Sequence, residues 1–105
     1  MKMEHRLSKR KQITVDVSIY YPPLGMISGK TRNISLAGMF VETPGTELPK
    51  SATLDIAFIV NADNKPKLQR VRALVARVAD GGAGLMFDNF KYTNYCELQN
   101  MLNAA

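Results

Sequence analysis

The sequence predicts a mostly β domain, a small antiparallel barrel of six strands with a C-terminal α-helix and a flexible basic N-terminal arm. Two observations predict the barrel: runs of alternating apolar and polar residues recur along the chain, and clusters of Pro, Gly, Asn and Asp separate them. A helix is predicted next because the apolar spacing changes near the end of the chain. The 105 residues fit one domain, divided into arm (1–12), barrel (13–88) and helix (89–105).

The first predicted strand, residues 13–21, is the clearest, because ITVDVSIYY alternates strictly and is rich in β-branched residues. Two prolines follow it and end it. The other strands are predicted at about residues 26–34, 39–42, 53–60, 68–79 and 83–87. Residues 61–66, NADNKP, are predicted to form a polar hairpin loop. Arg77 falls on the apolar side of the fifth strand, so a β-bulge or a strand end is expected there.

The tail has the apolar spacing of an amphipathic helix. Its apolar positions are Tyr92, Tyr95, Cys96, Leu98, Met101 and Leu102. Asp88 or Asn89 is a suitable N-cap for this helix. The helix is therefore expected to pack on the barrel through that face.

Composition argues against an enzyme, a metal site and a membrane protein. His5 is the only histidine and lies in the arm, Cys96 is the only cysteine and falls on the apolar side of the helix, and no phosphate-binding glycine loop is present. A single cysteine is compatible with the reducing cytoplasm. No run approaches the roughly 18 apolar residues of a membrane-spanning helix. We therefore expect a cytoplasmic, non-catalytic protein with no cofactor, no metal and no membrane insertion.

The positive charge is concentrated in the arm. Residues 1–12 hold five basic residues and one acidic residue, a net charge of +4, whereas the rest of the chain has nine basic and eight acidic residues. Arg6 and Arg10 are four residues apart, and arginine can pair with phosphate, bond a guanine edge or stack on a base. The arm is either a solvated basic tail or the binding element for an anionic partner.

The stretch TRNISLAGMF has two interpretations. Asn33, Ser35 and Gly38 are all common in turns, which is the simpler explanation. In an extended segment, however, Asn33 and Ser35 project from the same face, and Gly38 permits a close approach of the backbone. A polar pair on one barrel face beside a basic arm favours a binding platform.

Taken together, these elements resemble the two-part motif of PilZ domains, which are bacterial receptors for the second messenger cyclic di-GMP. The two motifs, in order, are Arg6-x-x-x-Arg10 and Asn33-x-Ser35-x-x-Gly38. Residues 82–87, GAGLMF, also resemble the strand that closes the barrel in this family. The likeness extends from the arm to the terminal helix, in the order of the family.

The resemblance implies a role for each motif residue. Arg6 and Arg10 would close over the ligand and contact its phosphates and guanines, while Asn33 and Ser35 would read guanine and Gly38 would keep the strand turn open. The ligand carries two phosphate charges and two guanines, which these side chains suit. No motif position departs from the family pattern.

The function implied is that of a ligand-switched adaptor. The arm is expected to be mobile when free and ordered when bound, and because the chain holds no output domain, the signal is expected to pass to an unidentified downstream protein. One alternative is a PilZ-like interaction module that is independent of the nucleotide. The other is a small nucleic-acid-binding barrel, which is disfavoured because the body of the chain is nearly neutral.

Overall fold

Six antiparallel strands close into a barrel in which every strand has two hydrogen-bonded neighbours. The computed structural model describes residues 10–62, 64–79 and 81–88, together with Leu98, Gln99 and Leu102. The strands are β1 (Asp16–Tyr21), β2 (Gly25–Ile34), β3 (Gly38–Glu42), β4 (Thr53–Ala62), β5 (Lys65–Ala79) and β6 (Gly82–Asp88). Around the barrel their order is β1-β2-β3-β6-β5-β4, with β4 pairing back to β1. The predicted mostly β, six-stranded antiparallel barrel is confirmed.

The core is filled by the inward side chains of all six strands. Buried and exposed residues alternate along β1, β2 and the middle of β5, whereas the first four residues of β3 and of β6 are all buried. The largest of these buried apolar side chains are Phe58, Ile19, Ile34, Met39, Leu54, Ile56 and Leu85. From the tail, Leu98 and Leu102 have helical backbone and are buried in the same cluster. The remainder of the predicted helix, including Cys96, and arm residues 1–9, including Arg6, lie outside the described residues. The helix and the arm stay predictions.

β1 begins at Asp16, so the predicted start at residue 13 is wrong. The reason is the buried side chain of Thr31 in β2, whose hydroxyl donates to the carbonyl of Ile13 at 2.6 Å and accepts from the amide of Val15 at 2.8 Å. One backbone bond remains here, from the amide of Thr31 to the carbonyl of Val15 at 2.9 Å. Because the Thr31 hydroxyl takes the amide of Val15 and the carbonyl of Ile13, residues 13–15 follow β2 without forming a regular strand.

The hairpin between β4 and β5 is tighter than predicted. Both strands continue into the segment expected to be a loop, so that Ala62 pairs with Lys65 and Asn61 pairs with Pro66. Asn64 adopts the left-handed conformation, at a φ of 62°, which Asn tolerates better than most residues. The polar composition of residues 61–66 therefore reflects exposed strand ends as well as a turn.

The bulge expected at Arg77 is confirmed. The register between β5 and β6 shifts between Val75 and Arg77, which leaves Ala76 without a partner in β6. Beyond the bulge Arg77 is exposed instead of entering the core.

In the described part of the chain, no helix is long and apolar enough to cross a membrane.

Candidate functional site

Two of the five motif residues meet where the chain enters the barrel. Arg10 donates a hydrogen bond from Nη1 to Oδ1 of Asn33 at 2.5 Å, although 23 residues separate them in sequence. The next residue, Lys11, pairs with Ile34 through two backbone hydrogen bonds of 2.9 Å each. The chain entry, residues 10 and 11, is therefore held beside the end of β2, and Arg10 lies on the barrel surface.

A β-bulge sets the position of Asn33. β2 and β3 pair Thr31 with Val41 and Asn33 with Phe40, so Arg32 is the extra residue on β2. The bulge increases the local twist at the end of the strand, and Asn33 is left half-buried with its amide towards the chain entry. Bulges of this kind re-aim side chains, and here the re-aimed amide reaches Arg10.

Ser35 is committed to the turn between β2 and β3. Its side chain is 1% exposed, and its hydroxyl accepts from the amides of Ala37 at 3.1 Å and Gly38 at 3.2 Å. The amide of Ser35 also donates to the carbonyl of Gly38 at 2.8 Å. For Ser35 these contacts support the turn interpretation, because the hydroxyl bonds backbone groups of the turn itself.

We expect Ser35→Ala to lower the free energy of unfolding by about 1–2 kcal/mol, because the buried amide of Gly38 and the partly buried amide of Ala37 would lose their acceptor. Urea denaturation followed by circular dichroism measures this change as a lower midpoint at an unchanged slope. Ser28→Ala is the matched control: Ser28 lies exposed on β2, the strand that leads into this turn, and its substitution should cost less than about 0.5 kcal/mol. Equal effects for the two variants would contradict the structural role of Ser35.

Gly38 is required by the close approach of β3 to β6. A Cβ at this position would overlap the carbonyl oxygen of Leu85 and lie 3.2 Å from the Cα of Met86. The φ of Gly38 is not in the left-handed region. The glycine is therefore needed for space between the strands and not for an unusual backbone conformation.

A recess of about 290 Å³ opens beside these residues, between the chain entry, the β2–β3 turn and the bulged end of β5. Among the residues that border it are Arg10, Ser35, Ala37, Arg77, Gly84 and Met86. Two motif residues and a second arginine thus share one concave surface. Asn33 adjoins it through its bond to Arg10.

Arg77 is the charged residue of this recess that the sequence motifs do not include. Its guanidinium carbon lies 5.8 Å from the ring centroid of Phe40, and that of Arg32 lies 4.4 Å from the same ring. Glu42 holds Arg32 in an ion pair at 2.9 Å, whereas no described carboxylate pairs with Arg77. The only signal in the sequence was the position of Arg77 on an apolar face.

The recess suits a planar anionic ligand. Two guanidinium groups border it, one at the chain entry and one after the β5 bulge, and each can pair with phosphate or stack on an aromatic ring. The Asn33 amide offers a donor and an acceptor at its edge. Among the described residues, no group of three or more His, Cys, Asp and Glu side chains is placed to hold a metal ion.

The comparisons with known proteins agree with this fold. A model of the PilZ domain family matches residues 4–104. The Bacillus subtilis inhibitor of motility (MotI/DgrA) superposes with a TM-score of 0.81 at 18% sequence identity, covering 94% of this chain and 50% of that one. The PilZ domain of CeSA from a cellulose-synthesizing bacterium superposes with a TM-score of 0.70 at 16% identity, covering 92% and 98%.

This chain thus spans half the length of the first of these proteins and nearly all of the second. At such identities the two structures are similar to this chain in fold. No protein with curated function matches the sequence.

Proposed function

Because this chain belongs to the PilZ domain family, we propose that it binds the bacterial second messenger cyclic di-GMP and relays it, as a ligand-switched adaptor in the cytoplasm, to another protein. The observation that carries the proposal is the meeting of Arg10 and Asn33, 23 residues apart in sequence, at the edge of a recess that Ser35 and Arg77 also border. Side chains that suit phosphate and guanine converge there.

The two arginine positions have different tasks in this proposal. Arg10 stands at the barrel surface and is placed to meet a phosphate or a guanine at the recess. Arg6, four residues earlier in the sequence, would supply a second cation. Arg77 approaches from the opposite side and adds a stacking surface for a guanine.

The other motif residues divide between recognition and support. Asn33 presents the donor–acceptor pair that a guanine edge requires. Ser35 and Gly38 hold the turn and the strand spacing that position Asn33, as their contacts indicate. In this proposal Asn33 recognises guanine, Gly38 allows the close strand spacing, and Ser35 acts mainly by shaping the turn.

Ligand binding would change the surface of the chain entry. In the free protein the guanidinium of Arg10 donates a hydrogen bond to the side-chain oxygen of Asn33. A guanine that bonds the same oxygen must displace Arg10 or share the oxygen with it. The backbone pairing of Lys11 with Ile34 keeps Arg10 close by during the exchange. Reorganisation of the segment before Arg10 is the signal that a partner protein would detect.

Calorimetric titration of the chain with cyclic di-GMP tests the proposal. We expect saturable binding, and much weaker binding of cyclic di-AMP, which has the same two phosphates but presents no guanine edge. If no heat and no saturation were observed with high-micromolar cyclic di-GMP, the receptor function would be excluded, and a nucleotide-independent interaction module would become the better description.

A further inference from the structure

Phe40 is an aromatic residue that is buried although it lies on the outer side of the barrel wall. Its neighbours on β3, Met39 and Val41, belong to the hydrophobic core, so alternation along the strand turns Phe40 outward. Only 4% of Phe40 is nevertheless exposed. Other side chains on the outer face therefore cover this ring.

Two arginines from neighbouring strands provide that cover. The guanidinium carbon of Arg32 lies 4.4 Å from the Phe40 ring centroid and that of Arg77 lies 5.8 Å from it. A cation within about 6 Å of an aromatic centroid is attracted to the ring face. Arg32 is the extra residue of the bulge in β2, and Arg77 directly follows the extra residue of the bulge in β5. Both bulges thus direct an arginine to the same ring.

The strand register explains how Arg77 reaches the ring from β5. Gly84 on β6 pairs with Phe40 on one side and with Arg77 on the other. The three atoms nearest to a Cβ built on Gly84 are Nε, Cβ and Nη2 of Arg77, at 3.5–3.8 Å. The Arg77 side chain therefore extends over the glycine towards Phe40, and it ends in the same row of the barrel as Asn33, which also pairs with Phe40.

The two arginines differ in what else they contact. Arg32 is held by Glu42, since its Nε and Nη2 each lie 2.9 Å from Oε2 of that carboxylate. Arg77 is exposed, borders the recess at Arg10, and pairs with no carboxylate in the described part of the chain. The guanidinium of Arg77 is therefore the one available to a ligand.

We propose that Phe40 is a positioning residue for ligand binding, whose ring holds the guanidinium of Arg77 at the border of the recess. This role rests on the proposed function, because Arg77 is the residue that would meet cyclic di-GMP. An exposed arginine loses conformational entropy when a ligand orders it. Contact with the ring and the path over Gly84 restrict Arg77 before the ligand arrives, so less entropy is lost on binding.

The Phe40 ring also packs on the barrel wall, and a test has to separate this contact from the positioning of Arg77. A Cβ built on Gly82 would lie 2.8 Å from Cε1 of Phe40, so the ring lies close against the backbone of β6. Removing the ring could therefore disturb the wall as well as release Arg77. Only the second effect depends on the presence of the Arg77 side chain.

A double-mutant cycle measured by calorimetric titration with cyclic di-GMP makes this separation. For the 105-residue chain we expect Arg77→Ala to weaken binding about tenfold and Phe40→Leu about three- to fivefold. In the Arg77→Ala background, Phe40→Leu should weaken binding by less than about 1.5-fold, because no guanidinium is left to position. If Phe40→Leu weakened binding by the same factor in both backgrounds, the positioning role would be overturned.

Two further variants keep the cycle decisive. Arg32→Ala is the matched control: it removes the other cation from the same ring but lies outside the recess, so binding should stay within about twofold of the wild type. A loss as large as that of Arg77→Ala would contradict a specific role of Arg77. Phe40→Met, an adaptable apolar side chain without a ring, repeats the cycle if Phe40→Leu folds poorly.

The cycle also distinguishes the positioning role from the proposed function. Saturable binding by the wild type with equal factors in both backgrounds overturns the positioning role alone. Absence of binding by the wild type excludes the receptor function, and the positioning role with it.

Discussion

Gly38→Ala is expected to lower the free energy of unfolding by roughly 3 kcal/mol, the largest loss of stability among the motif substitutions. The added methyl group would overlap the carbonyl oxygen of Leu85 and lie 3.0 Å from its carbonyl carbon, and these are backbone atoms that cannot swing away. β3 would have to move from β6 and open the barrel wall. Thermal unfolding by circular dichroism measures the effect as a fall in Tm on the order of 15 °C.

Gly84→Ala provides the control for this prediction. Gly84 lies on β6 in the same ladder and pairs with Phe40, but the three atoms nearest to a Cβ there all belong to the Arg77 side chain, at 3.5–3.8 Å. This is ordinary van der Waals contact, so the Tm should change little. If Gly84→Ala were as damaging as Gly38→Ala, the loss would reflect glycine removal from β structure in general and not the close approach at Leu85.

Arg10→Ala is expected to weaken cyclic di-GMP binding at least about 30-fold, the largest effect on the proposed function. Truncating one member of a charge-assisted contact at a binding site typically costs 2–5 kcal/mol, and each 1.4 kcal/mol is tenfold in affinity. Arg10 is also the residue that joins the recess to Asn33. Calorimetric titration measures the affinity, and Arg6→Ala/Arg10→Ala should abolish detectable binding.

Lys11→Ala is the matched control for charge. It removes one positive charge from the neighbouring residue, while the contacts of Lys11 to Ile34 use backbone atoms and remain. A loss caused by general electrostatic attraction would be similar in both variants and would disappear at high salt. A specific role of the Arg10 guanidinium is contradicted if Lys11→Ala and Arg10→Ala weaken binding equally.

The strand pattern was readable from the sequence because a barrel wall buries one face of each strand. Alternation predicted the first and fourth strands and the beginning of the fifth, turn residues delimited the other three, and the interruption at Arg77 predicted the bulge in β5. The start of β1 was not readable, since it depends on the hydroxyl of Thr31, which comes from another strand. Local alternation at residues 13–15 cannot reveal that a side chain from another strand bonds their backbone groups.

The candidate site was only partly predictable. The motif resemblance pointed to Arg10 and Asn33, and the structure brings these two together. The sequence left open whether Ser35 stabilises a turn or belongs to a binding surface. The answer depends on the direction of its hydroxyl and on the burial of its side chain, which the fold determines. Arg77 reaches the recess only through the pairing of β5 with β6, which no local pattern specifies.

The strand order also has a consequence for biosynthesis. β6 is the last of the six described strands to be synthesised, yet it stands between β3 and β5 and supplies the pairing edge of both. β3 ends at Glu42 and β6 at Asp88, so at about 5–20 residues per second a nascent chain carries an open β3 edge for roughly 2–9 s. During translation this unpaired edge can pair with other chains, and a ribosome stalled before residue 82 would hold a sheet that cannot close.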